Sequence, residues 1–298
     1  FTKVGEVLLH GTNWWWMFFS LLFGVLAQVF RGWRWKQMLE PLEAFPKRSD
    51  CVNAIFISYA ASLIVPRVGE VSRCGVLAKY DNVSFAKSLG TVVTERLVDT
   101  LTILLITGVT VLLQLPIFVT FLQQTGTKIP SLLHLLTSVW FYIVLFCFIG
   151  VGMLLYYLRK TLFFYERVKG FVLNIWEGVM SLKGVRNIPL FSFYTLAIWG
   201  CYFFHFYFTF YCFAFTAHLS ILAALVMFVG GTFAVIVPTP NGAGPWHFAV
   251  ISMMMLYGVN ETDAGIFALI VHGIQTFLVV LLGVYGLAAL SLTNRQRK

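Results

Sequence analysis

The chain has 298 residues, is 59% hydrophobic and only 11% charged, and carries a net charge of +9. A soluble domain is about 25% charged, so this composition excludes one, and the apolar runs lack the short alternating segments of a β-barrel. The basic residues cluster beside apolar runs, which argues against a nucleic-acid partner: Arg31, Arg34, Lys36, Lys47 and Arg48; Arg159, Lys160, Arg167, Lys169, Lys183 and Arg186; and Arg295, Arg297 and Lys298. That is the positive-inside pattern of cytoplasmic loops, with some attraction to anionic lipid.

Residue 1 is Phe rather than Met, which leaves room for a preceding segment, including another helix. Trp14 to Phe30 is the first apolar run and closes on RGWRWK at 31–36, where Trp33 and Trp35 beside arginines read as an interface belt. Val52 to Val65 is short for a span and meets Pro66, after which VGEVSRCGVLAKY reads as a polar helix. Val92 to Leu115 is the next span, with Arg96 at its start and a polar loop, 123–128, after it. Leu132 to Leu158 returns the chain, and residues 159–187 are basic, with an apolar helical face of Phe163, Val168, Phe171, Val172, Ile175, Trp176 and Val179. That face fits an amphipathic helix in the cytoplasmic interface, or a plain connector helix. Phe191 to Phe215 crosses again, Leu219 to Val237 runs into VPTPNGAGPWH, Phe248 to Tyr257 is short, and Ile266 to Leu290 is the last full span.

Counting crossings against the basic loops makes 52–80 a hairpin that dips in from one side. Residues 219–258 make a round trip from the other, as a hairpin or as two crossings. The expected fold is therefore an all-α polytopic membrane protein, about five full spans plus two Pro/Gly-broken re-entrant hairpins, in one domain over 1–298. Its halves, about 14–115 and 189–290, form an inverted repeat, the arrangement in which paired broken segments mark a substrate site near the midplane.

The charges sit at the breaks. In PRVGEVSR, Pro66 suits a first helical turn, and Arg67, Glu70 and Arg73 are spaced by three along one face. They form either a ladder for a polar headgroup or a salt-bridge cluster that holds the segment in place. In ERLVD, Glu95 and Asp99 share a face and Arg96 sits beside them, which favours ion pairing over acid/base catalysis. In VPTPNGAGPWH, Pro238, Pro240, Gly242 and Gly244 surround Asn241, and Pro245 can begin a helix whose free amides at Trp246 and His247 suit an anion. The alternative is a tight extracellular turn. His247 and His272 lack metal-site spacing, His205 and His218 read as structural, and the cysteines 51, 74, 147, 201 and 212 read as buried free thiols. No metal and no cofactor are expected.

PRxGExxR at 66–73, ERLxD at 95–99 and PTPxGxG at 238–244, in this order, resemble the flippase-like membrane domain of lysylphosphatidylglycerol synthases and its stand-alone relatives. The resemblance implies lipid movement between leaflets rather than an enzyme, since the lipid-modifying chemistry of that family lies in a separate soluble domain. It places functional weight on Arg67, Glu70, Arg73, Glu95, Arg96, Asp99, Pro238, Pro240, Gly242 and Gly244. The family pattern is PTPGGxGxxE, and here Asn241 and His247 replace its first glycine and its glutamate, which alters the expected headgroup preference.

The expected function is a lipid flippase or scramblase-like transporter of the cytoplasmic membrane, basic loops and C-terminus inside. Arg67, Arg73 and Arg96 would meet phosphate, with Glu70, Glu95 and Asp99 balancing them when the site is empty, and Asn241 to His247 would receive the headgroup on the far side. Its partners would be membrane lipids with phosphate-containing headgroups, and a homo-oligomer or a separate lipid-modifying enzyme. No GxxxxGK[ST] motif is present, so movement would be passive or driven by protons or membrane potential. The rivals are a secondary transporter of a soluble or amphiphilic substrate, a membrane-embedded lipid-modifying enzyme, and a partner-binding subunit.

Overall fold

Asn13 opens the first long helix by accepting a hydrogen bond from the Trp15 amide at 3.2 Å, and α1 (Trp14–Leu39) then runs unbroken. In this computed structural model residues 2–116 and 165–295 are described, with single positions at 119, 139, 142, 143, 146, 150 and 153. The expected span 132–158, those positions apart, the loop 123–128 and the basic residues 159–160 and 297–298 lie outside the described residues. The α1 helix corrects one expectation. Arg31, Arg34 and Trp35 are no cytoplasmic loop or interface belt, because the helix continues through them and leaves them at most 3% exposed.

After a 3-10 turn at Glu40–Leu42 come α2 (Arg48–Ile64) and α3 (Val68–Tyr80). Proline restricts the residue before it to extended backbone, and Val65 (φ −130°, ψ 119°) obeys. Pro66 thus ends α2 instead of starting α3, a second correction. Arg67 then takes the left-handed conformation at φ +67°, which costs a non-glycine residue about 1–2 kcal/mol. The turn folds α3 back along α2, and Gly69 makes the contact close. A β-carbon there would run into the Ser58 carbonyl oxygen.

Ser84 caps α4 (Phe85–Leu113) through the Lys87 amide at 3.5 Å. This helix begins well before the expected Val92, so Arg96 lies inside it and not at its start. Along its first turns packs α5 (Tyr165–Met180), close because Gly90 and Gly178 bring the backbones together. Of the expected apolar face, Ile175 and Val179 are half-buried and bring their main-chain carbonyls to α4, while Phe171, Val172 and Trp176 stay exposed.

The second set begins at α6 (Ile188–Tyr207), capped by Asn187 through the Leu190 amide and extended by a 3-10 turn at Phe208–Cys212. Next come α7 (Ile221–Ala234) and α8 (Pro245–Leu256). Between them a turn at Pro240–Gly242 uses positive φ at Asn241, Gly242 and Gly244. Pro245 opens α8 as expected. The last helix, α9 (Glu261–Arg295), outruns the expected 266–290 at both ends, and Asn260 accepts from the Asp263 amide at its start.

Four of these helical stretches are long and apolar enough to cross a membrane: Trp14–Leu42, Phe85–Leu113, Ile188–Cys212 and Glu261–Thr293. The protein is an all-α polytopic membrane protein. Its packing repeats when α1–α4 are exchanged for α6–α9: α1 lies on α2 as α6 on α7, α2 on α3 as α7 on α8, and α3 on α4 as α8 on α9. The cross-contacts also exchange, α2 on α9 for α7 on α4. Among the described residues the two larger cores lie around Phe210, Phe213, Met227, Met254 and Phe267 and around Trp35, Ile55, Cys74 and Leu77, with a smaller cluster at Met38, Val185 and Phe191.

Candidate functional site

Five arginines and three carboxylates converge beside the break between α2 and α3. Glu95 is fully buried and pairs with Arg31, with Arg73 at 2.9 Å and with Arg34 at 3.5 Å. Asp99 pairs with Arg31 at 2.6 Å and with Arg34 at 2.7 Å. Arg96 turns the other way on α4 and meets Glu70 at 3.0 Å, in a pair that remains partly exposed. Charges at membrane depth cost at least about 2.5 kcal/mol each, and these ones meet that cost largely by pairing. The pairing is incomplete, however. Five guanidinium groups against three carboxylates leave two formal positive charges.

A cavity of about 700 Å³ opens next to this cluster, a size suited to a small ligand or a headgroup. Of the residues expected to bind substrate, Arg67, Glu70, Arg73, Arg96, Pro238, Asn241 and Gly242 line it, whereas Glu95, Asp99, Pro240, Gly244 and His247 do not. The two breaks meet at its wall, where the Arg67 guanidinium donates to the Ile236 carbonyl at 3.2 Å. Arg73 is 1% exposed, stacks 4.7 Å over the Trp35 ring, and keeps Nε and Nη2 without a hydrogen-bond partner. Around Arg67 the side chains of Ile64, Val65, Val68, Val71, Ile236 and Val237 are exposed and apolar. The cation therefore emerges through a hydrocarbon surface.

At the helix start at Pro245, His247 is placed differently from the expected cavity contact. The Gly244 amide donates to His247 Nδ1 at 3.4 Å, so His247 caps its own helix instead of lining the cavity. Its ring lies 4.5 Å from that of His272. His272 Nε2 donates to the Asn241 carbonyl at 3.0 Å, and Asn241 Nδ2 donates to Thr276 at 2.7 Å, which fixes the left-handed turn to α9. Trp246 joins the wall with its ring, seated against Gly231. His205 lines the cavity too, but Nδ1 is tied to the Ser20 carbonyl at 2.8 Å.

Sequence reasoning missed several groups here. Arg31 and Arg34, three apart on α1, bind both buried carboxylates. Their spacing was visible, but the adjoining tryptophans imitate a membrane edge. Tyr59 and Tyr202 share a hydrogen bond of 2.6 Å across the cavity wall, near Arg31. Trp199 and Gln275 also line it. Gln275 had a signal, as one of the few polar residues in a mostly apolar span, beside His272 and Thr276; Trp199 had none in its aromatic-rich run.

Helices of membrane-spanning length around a cavity with surplus positive charge, between paired broken segments, define an all-α polytopic membrane protein. The family of the lysylphosphatidylglycerol synthase TM region matches residues 3–283, and the chain belongs to it. That membership ties the protein to lipid-related function. No curated protein and no solved structure matches the chain.

Proposed function

We propose that the protein moves a phospholipid or related polar lipid between leaflets, its phosphate resting on the cavity arginines while the acyl chains stay in the bilayer. The observation that carries this is the meeting of the two broken helix pairs at a cavity whose exposed cation, Arg67, is surrounded by exposed apolar side chains. A lipid needs such a mouth, because its headgroup must pass while its tails remain in hydrocarbon. A soluble substrate has no use for it. The exchange of contacts between α1–α4 and α6–α9 supports an inverted repeat with α2–α3 and α7–α8 as re-entrant hairpins, the plan on which rocking transporters are built.

Transport rather than bond chemistry is the reading the carboxylates favour. Glu95 and Asp99 are held by Arg31, Arg34 and Arg73 and stand outside the cavity lining, so neither is placed to reach a substrate in it. The protein would sit in the cytoplasmic membrane with its basic loops inside, following the positive-inside rule.

The test is reconstitution in liposomes carrying headgroup-labelled lipids, read by loss of protection from a membrane-impermeant quencher. Wild-type protein is expected to expose inner-leaflet label quickly, and Arg67→Gln and Arg96→Gln to slow it at least tenfold. Protection unchanged by wild-type protein across neutral, anionic and cationic headgroups would refute lipid translocation. Full activity in both variants would make the arginines scaffold.

A further inference from the structure

The turn between α7 and α8 is held by two histidines that take no part in the charged cluster. His272 on α9 closes a circuit of polar contacts with it. Asn241 Nδ2 donates to the Thr276 hydroxyl at 2.7 Å, that hydroxyl faces His272 Nδ1 at 3.5 Å, and His272 Nε2 donates to the Asn241 carbonyl at 3.0 Å. His247 on α8 accepts the Gly244 amide on Nδ1 at 3.4 Å. The two imidazole rings lie 4.5 Å apart, and the Trp246 ring is 5.5 Å from His247 and 5.3 Å from His272. The turn they hold supplies Pro238, Thr239, Asn241 and Gly242 to the cavity wall.

This arrangement requires neutral imidazoles. A ring nitrogen accepts a hydrogen bond only while it carries no proton, so a proton on His247 Nδ1 would set two donors against each other at Gly244. The charged ring would also stand in the first turn of α8, where the helix dipole disfavours a cation, and beside His272. No free anion offsets it. α7 has no ionisable side chain, α8 has only His247, and no Asp, Glu, Lys or Arg occurs from 188 to 260. α9 brings His272, while its Glu261 and Asp263 stand at its first turn, at least nine residues away, or about 13 Å along the axis. Tyr257, past the end of α8, bonds Gln114, and Tyr285 lies farther along α9 against Phe56. On the side of α2 and α3, Tyr59 bonds Tyr202, Glu70 is held by Arg96 at 3.0 Å, and the group that reaches Ile236 is Arg67, another cation.

We propose that His247 and His272 form a proton-operated clamp: as neutral imidazoles they hold the α7–α8 turn against α9, and protonation of His247 releases it. One wall of the cavity is then rigid above the ordinary imidazole titration range, about pH 5–8, and loosens below it, whatever the cavity carries.

The purified protein in detergent is followed by hydrogen–deuterium exchange at pH 8 and pH 5.5, with rates corrected for the intrinsic chemistry of the amides. The amides of Gly242, Ala243 and Gly244, which bond Thr239, Pro240 and His247, should lose protection at least tenfold on acidification. Amides inside α6 should keep theirs to within twofold, which marks a local opening. His247→Gln retains an oxygen that can accept from Gly244 and cannot take the charge, so its loss should stay below threefold. His247→Glu places an anion where His272 would become a cation, and its loss should also stay below threefold. A wild-type loss smaller than tenfold, an equal loss inside α6, or a tenfold loss that persists in His247→Gln overturns the clamp. If the turn in His247→Gln is open already at pH 8, His247→Glu decides: a loss below threefold upholds the clamp and a larger one overturns it.

Discussion

Replacing Glu95 by Gln should be among the most damaging single changes in the protein. The carboxylate is fully buried and holds Arg31, Arg34 and Arg73, with Asp99 as the other acid in the group. At an effective dielectric near 20, an ion pair 3 Å apart carries about 5 kcal/mol of Coulomb energy, much of it offset by desolvation of both partners. Removing one partner leaves the desolvation of the other unanswered, and buried pairs broken in this way typically lose about 3–5 kcal/mol. In Glu95→Gln three buried guanidinium groups would share Asp99 alone. At roughly 2–4 °C per kcal/mol for a large domain, the thermal midpoint in detergent should fall by about 6–20 °C. Adding Arg73→Gln should recover part of the loss, because the excess charge falls by one, and the pair should show a coupling of at least about 1 kcal/mol. Glu70→Gln provides the contrast. Its pair with Arg96 is partly exposed, worth about 0–1 kcal/mol, and the midpoint should move by less than about 3 °C. A Glu95→Gln midpoint as close to wild type as that of Glu70→Gln would refute the view that this cluster holds α1, α3 and α4 together.

Gly69→Ala should lower the midpoint by several degrees and slow lipid movement, since its β-carbon meets the Ser58 carbonyl and overpacking costs about 1–3 kcal/mol; a midpoint unchanged in thermal unfolding would contradict the α2–α3 contact. Tyr59→Phe should cost about 0.5–1.5 kcal/mol through its bond to Tyr202, and Tyr202→Phe should add little to it, which a double-mutant cycle of melting midpoints will read. Arg67→Gln should reduce calorimetric affinity for an anionic short-chain lipid at least fivefold while leaving the midpoint within about 2 °C, because Arg67 is exposed and binds one carbonyl; a large loss of stability would make it structural.

What could be read from the chain alone was whatever is local. Apolar length gave the spans, Pro66 and the Pro238–Pro245 stretch gave the breaks, and charges inside apolar sequence pointed to the site. Arg31 and Arg34 escaped because a basic run after an apolar one looks the same at a membrane edge and inside a bundle. Only Glu95 and Asp99, more than sixty residues along the chain, distinguish the two. His247 escaped in the opposite direction: its position after the glycines suggested a ligand contact, but an imidazole there is well placed to cap Gly244. Helix ends drifted too. Ser84 and Asn260 start their helices earlier than hydropathy does, since a cap is chosen by hydrogen bonding and not by apolar content.

The Arg67–Ile236 contact joins the α2–α3 break to the end of α7 through a side chain on one side and the main chain on the other. Every amino acid at position 236 presents the same carbonyl, so a change of side chain there leaves this latch intact. Release belongs to position 67 and to any competing anion that draws its guanidinium away. On the proposed function a lipid phosphate at the mouth would be such a competitor, and its binding would also unfasten the α2–α3 break from the end of α7.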